Sequence, residues 1–202
     1  MRSSYLHTVK CLVPSDPVVL IDDSDVIKPD GKQFEALGIV RDGSESTQTK
    51  SVYKKGYHVT EACALTASRH PVSIFSRIHS SAEKEFKSVN TITFDAVKQA
   101  VALLGKATFV MDRGYDENKI FLLLDHLKQD YVIRLTSKRK LLYHNKWTQA
   151  TELRNRRKGK IKADVFLKGK NIPHIFPMSR FRSLPPERIF IWFWSMALRN
   201  IR

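Results

Sequence analysis

Cysteine is scarce in this chain of 202 residues: Cys11 and Cys63 stand alone with no Cys-x-x-Cys partner, so neither a disulfide framework nor a zinc finger can be built from them. Both are expected to be small core residues. Uncharged apolar runs are short as well. None reaches the roughly 18 residues of a membrane span, and the N-terminus lacks the long apolar core of a signal peptide. The default compartment is the cytosol. No glycine-rich phosphate loop occurs, which removes support for a nucleotide cofactor. Ser44 lacks the Gly-x-Ser-x-Gly context of a nucleophile elbow. His58, His70 and His79 share no metal-ligand spacing and are expected on the surface or in a sheet.

What the chain does have is core-forming material and an uneven charge. Hydrophobic residues make up 42%, which argues against a wholly disordered chain. The formal charge is +15. Residues 1–137 hold 18 Lys/Arg against 17 Asp/Glu, whereas residues 138–202 hold 17 against 3. Acids are thus nearly missing from one end. A near-neutral body with a cationic end favours a polyanionic partner, since each cation set against a phosphate releases condensed counterions. A solvated basic tail is the plainer alternative.

Pro17–Asp22 is a short apolar run ending on carboxylates and reads as a buried strand; residues 38–50 read as a loop. Tyr53 to Ala67 and Pro71 to His79 read as a hairpin. Thr91 to Gly105 has apolar residues at 92, 94, 97, 101 and 104 and a terminal glycine, the pattern of an amphipathic helix. Ala107–Asp112 is a second apolar run ending on an aspartate. Asn118–Lys128 reads as a helix that Asp116 could cap, and Asp130 to Thr136 as a strand. From Ser137 onward the best reading is basic hairpin-like strands.

Asp22 and Asp112 each finish an apolar strand, and an order of three strands, helix, strand can make those two strands neighbours. Two carboxylates brought together repel unless protonated or bridged, and the usual bridge is Mg²⁺, held by one or two carboxylates plus water and substrate phosphate. Against this, strand ends are often turns rich in Asp.

The local wording sharpens the choice. Ile21-Asp22-Asp23-Ser24-Asp25-Val26-Ile27-Lys28-Pro29, Val40-Arg41-Asp42-Gly43-Ser44, Gly56-Tyr57, Ser88-Val89-Asn90, Val110-Met111-Asp112-Arg113-Gly114-Tyr115-Asp116 and Tyr131-Val132-Ile133-Arg134-Leu135 follow in order. Over about Pro17 to Lys170 the chain resembles the catalytic core of DDE transposases of the insertion-sequence IS-four group. The resemblance implies an α/β fold: a ribonuclease H-like mixed sheet with flanking helices plus a basic β-rich insertion. It also implies divalent metal (Mg²⁺ or Mn²⁺), DNA as partner, self-association in a transposase complex, a nucleoid location of bacterial or archaeal type, and strand cleavage and transfer at transposon ends. The two catalytic and metal-holding acids fall on Asp22 and Asp112. Asp23 and Asp25 stay open for the first role, with Asp22 preferred because it directly extends the apolar run.

The expected organisation is a short remnant at 1–16, the catalytic core at 17–136, a partial basic insertion at 137–170 and an atypical tail at 171–202. The family's third acid, a glutamate in a Tyr-x-x-Arg-x-x-x-Glu-like word, has no counterpart; Glu187 follows paired prolines, which block a helix interior. The tail carries Trp192 and Trp194 with four Pro and five Arg and no turn logic between them. Shifting its back-translation by one base restores alternating strand patterns, so a frame slip near Lys170 is expected, with a hydrophobic helix or strand over Ile189–Leu198 as the alternative. Residues 1–21 are too few for the end-recognition domain such transposases place before the first aspartate. Phosphate contact is therefore expected to be non-specific, through Arg113, Lys138, Arg139, Lys140, Arg154, Arg156, Arg157, Lys158 and Lys160. The rival reading is a non-catalytic nucleic-acid-binding module.

Overall fold

The computed structural model describes residues 2–47, 49–143, 146–152, 161–167, 170–176, 178–181 and 189–192. The chain divides into two compact units, Met1–Val110 with Lys119–Asp130, and Met111–Asn118 with Tyr131–Arg202.

An α-helix, α1 (Arg2–Leu12), precedes β1 (Val18–Ile27), β2 (Gly38–Arg41), β3 (Tyr53–Leu65) and β4 (Pro71–His79). Helix α2 (Val89–Leu104), β5 (Thr108–Met111), a 3₁₀ turn (Arg113–Tyr115), α3 (Asn118–His126) and β6 (Asp130–Ile133) follow. Six strands form one sheet in the order β2-β3-β1-β5-β6, with β4 also on β3. The long β3 pairs antiparallel with β1 along one edge, from Ala64 opposite Val19 to Gly56 opposite Ile27. Its other edge is shared by β2 and β4. The Thr108 amide donates to the Pro17 carbonyl at 2.8 Å, so β1 and β5 start side by side. This mixed α/β arrangement is compatible with the expected ribonuclease H-like fold.

Sequence chemistry accounts for the boundaries. Ser88 caps α2 by accepting from the Thr91 amide at 3.3 Å, and Gly105 ends it at φ 77°, a conformation that favours glycine. The buried stripe of α2 is Ile92, Thr93, Ala96, Val97 and Ala100, so small alanines replace the expected Phe94 and Val101 against the sheet. Helix α3 buries Ile120, Phe121 and Leu124. Phe109 and Val19 are 0% exposed at the centre of the sheet.

Two expectations need correction, and one element was not foreseen. Residues 38–41 form an edge strand, because Val40 buries beneath the sheet while Ile39 stays exposed, too short an alternation to read from sequence. The polar start is helix α1, anchored by buried Val9 and by the Tyr5 hydroxyl donating to the Ser73 carbonyl at 2.8 Å. Cys11 is exposed on that helix, and Cys63 is half-buried, so neither is a fully buried core residue.

In the second unit, β7 (Lys140–Tyr143) pairs with β8 (Lys146–Gln149), β9 (Ile161–Leu167) with β10 (Lys170–Phe176), and β11 (Met178–Phe181) with β12 (Ile189–Trp192), all antiparallel. Hairpin strands were expected from Ser137 onward.

Candidate active site

Strand β1 sorts its acids by alternation. Its register on β3 runs without a bulge, so Asp23 and Asp25 share the side of buried Val19 and Ile21 whereas Asp22 and Ser24 take the other. Asp23 accepts from the Thr60 hydroxyl at 2.5 Å, and Asp25 pairs with Nδ1 of His58 at 2.6 Å. Asp22 is exposed, and its Oδ1 accepts the Asp23 amide at 3.0 Å.

Asp112 is also exposed. It caps the 3₁₀ turn that follows β5, its Oδ1 accepting from the Gly114 amide at 2.6 Å. A Cβ at Gly114 would stand 3.0 Å from that oxygen, so a side chain there would press on the Asp112 carboxylate. The rest of the Asp-Arg-Gly-Tyr-Asp word is framework and charge. Arg113 is exposed, Tyr115 is buried at 4% exposure, and the Asp116 carboxylate is nearly sealed. Asp116 does not cap α3 as expected. Its Oδ2 accepts the Thr136 amide at 2.7 Å, and Oδ1 is ion-paired with Arg139.

The Arg-Asp-Gly-Ser word proves to be a closed turn. Asp42, 4% exposed, accepts from the Ser44 amide at 2.9 Å, the Ser44 hydroxyl at 2.5 Å and the Glu45 amide at 3.3 Å, with Lys54 Nζ at 3.0 Å. The Ser44 hydroxyl first, then Lys54, lowers its pKa to about 2. Sequence reading missed a second cluster altogether: Thr60 and His79, both 0% exposed, are hydrogen-bonded beneath β1. Alternation within β3 and β4 could have flagged them as inward polar residues.

Among the described residues, no group of three or more His, Cys, Asp or Glu side chains is arranged to hold a metal ion. No helix among them is long and apolar enough to cross a membrane.

A family model for the transposase DDE domain matches residues 14–189, which takes in both aspartates and their strands. The chain belongs to the DDE transposase family. No curated relative matches it. Of the transposase's basic residues named above, Lys138 and Lys140 are exposed, and Arg139 is half-buried with its guanidinium on Asp116 and Asn118. Arg154, Arg156, Arg157, Lys158 and Lys160 lie outside the described residues.

Proposed function

We propose that this chain cleaves and transfers DNA strands at transposon ends, with Asp22 and Asp112 together holding divalent metal, Mg²⁺ or Mn²⁺. One observation carries the reading: β1 and β5 are neighbours in the sheet and start together at Pro17 and Thr108, with exposed Asp22 inside β1, which runs on to Ile27 and does not end at this acid as expected, and exposed Asp112 just past β5. Two hard carboxylates fit an ion that takes one or two such ligands and leaves its remaining positions to water and substrate phosphate. When bound, a pair of such ions activates a nucleophile and stabilises the leaving oxygen of a phosphodiester.

The residues of the chain supply orientation and charge. Gly114 fixes the Asp112 carboxylate through its amide, and Asp23 does the same for Asp22. Arg113, one residue from Asp112, and the exposed Lys138 and Lys140 offset phosphate charge, with the 154–160 cluster in the same role along the duplex. Self-association on DNA and a place of action at the nucleoid belong to the same reading. With no residue assigned to the third acid, slow cleavage is expected.

Mg²⁺-dependent nicking of supercoiled plasmid, abolished by Asp112→Ala, tests the proposal. The lack, among the described residues, of a cluster of three metal-ligating side chains favours a second reading, a module that only holds DNA. Salt-sensitive DNA binding by the wild-type chain with no nicking in Mg²⁺ or Mn²⁺ would establish that reading instead.

A further inference from the structure

Beneath the acids of β1 lies a hydrogen-bonded chain that the proposed chemistry does not use. Asp23 faces Thr60 across β1 and β3, Asp25 faces His58, and His58 faces His79 across β3 and β4. Thr60 Oγ1 lies 2.5 Å from Asp23 Oδ1 and 2.9 Å from Nε2 of His79. A hydroxyl carries one proton, and an ionised carboxylate only accepts. The Thr60 proton therefore goes to Asp23, and His79 donates Nε2–H to Thr60.

That leaves Nδ1 of His79 bare, buried and without a hydrogen-bond partner. Protonating it would bury both a charge and an unpaired N–H, so the ring stays neutral in one tautomer. Burial, with His58 adding to it, pushes the imidazole below its ordinary value in the same sense. The ring stacks with His58, at 5.6 Å, and with Phe86, at 5.9 Å between centroids. One end of the chain is thus clamped. The other reaches Asp22, whose Oδ1 accepts from the Asp23 amide at 3.0 Å.

We infer that Thr60 and His79 are positioning residues for Asp22: by holding the Asp23 side chain on the covered side of β1, they fix the peptide that orients the Asp22 carboxylate and stop Asp23 from competing for the same cation. The inference rests on the reading of Asp22 as a metal-holding acid. Removing a partner that orients a ligating carboxylate typically weakens metal affinity about 10–100-fold.

The test titrates Mn²⁺ into the full chain and follows the free ion by electron paramagnetic resonance, with circular dichroism reporting the fold. Thr60→Val removes the hydroxyl at nearly constant shape and is expected to weaken Mn²⁺ binding about tenfold, while Thr60→Ser restores it. His79→Leu is expected to weaken binding likewise, and His79→Gln, whose amide can still donate to Thr60, to recover most of it. Should Thr60→Val fail to fold, the His79 pair carries the comparison. Asp22→Asn separates the two levels. If it weakens binding while Thr60→Val and His79→Leu bind as wild type, the positioning role is overturned and Asp22 keeps its part. If Asp22→Asn itself binds Mn²⁺ like wild type, the reading of Asp22 fails and takes the inference with it. Histidine ¹⁵N shifts give an independent check: Nε2–H is expected for His79, and Nδ1–H would break the chain.

Discussion

The guanidinium of Arg139 closes on the carboxylate of Asp116, whose side chain is only 1% exposed against 21% for the arginine. Its Nη1 also donates to Asn118 Oδ1 at 2.7 Å and its Nη2 to the Asp116 carbonyl at 3.0 Å. A cation that sequence alone assigns to DNA is thus held on the framework of the turn carrying Asp112.

Breaking this pair leaves a buried carboxylate uncompensated, so Arg139→Ala is expected to cost about 3–5 kcal/mol, read from urea unfolding. A loss under about 1 kcal/mol would mean that water replaces the guanidinium and that the pair behaves as an exposed one.

Asp42 makes stability depend on pH. Its pKa lies at about 2, below an ordinary 3.8, so the folded state binds a proton less readily than the unfolded one. The contribution is complete above the ordinary value and is lost as pH falls through the folded value. Unfolding midpoints measured from pH 5 to pH 2 are expected to drop less steeply in Asp42→Asn than in wild type; identical slopes would remove Asp42 from the account.

Gly56 is set by close approach. A Cβ there would meet the Val26 carbonyl oxygen at 2.4 Å and Val40 Cγ2 at 2.6 Å, where β1, β2 and β3 come together. Because the first obstacle is backbone, Gly56→Ala is expected to destabilise by about 1–3 kcal/mol in chemical unfolding. An unchanged midpoint would show that the strands can part.

The basic segment is tested by salt. Neutralising Arg154, Arg156, Arg157, Lys158 and Lys160 together is expected to flatten the dependence of log K on log salt by about 0.9 for each phosphate that no longer meets a cation. An unchanged slope would take these residues off the DNA.

The strands bearing both aspartates were legible because buried strands advertise themselves as apolar runs, and each run ends on its acid. Which of Asp22, Asp23 and Asp25 would find a side-chain partner was not legible from adjacency. It depends on cross-strand partners, Thr60 for Asp23 and His58 for Asp25, which lie more than thirty residues away in sequence. The same holds for Arg139, whose charge suggested phosphate until Asp116 came within reach through folding. Strand β2 escaped because Val40 is its only large apolar residue to face inward, and α1 because its polar surface hides buried Val9.

Asp22 and Asp112 are proposed to serve one metal centre. Fe²⁺ loaded in place of Mg²⁺, with ascorbate and peroxide, cuts a polypeptide beside the bound ion. Two cuts are expected, near residues 22 and 112, and both should vanish in Asp22→Asn and in Asp112→Asn. Cutting beside one aspartate that survives loss of the other would contradict a shared centre.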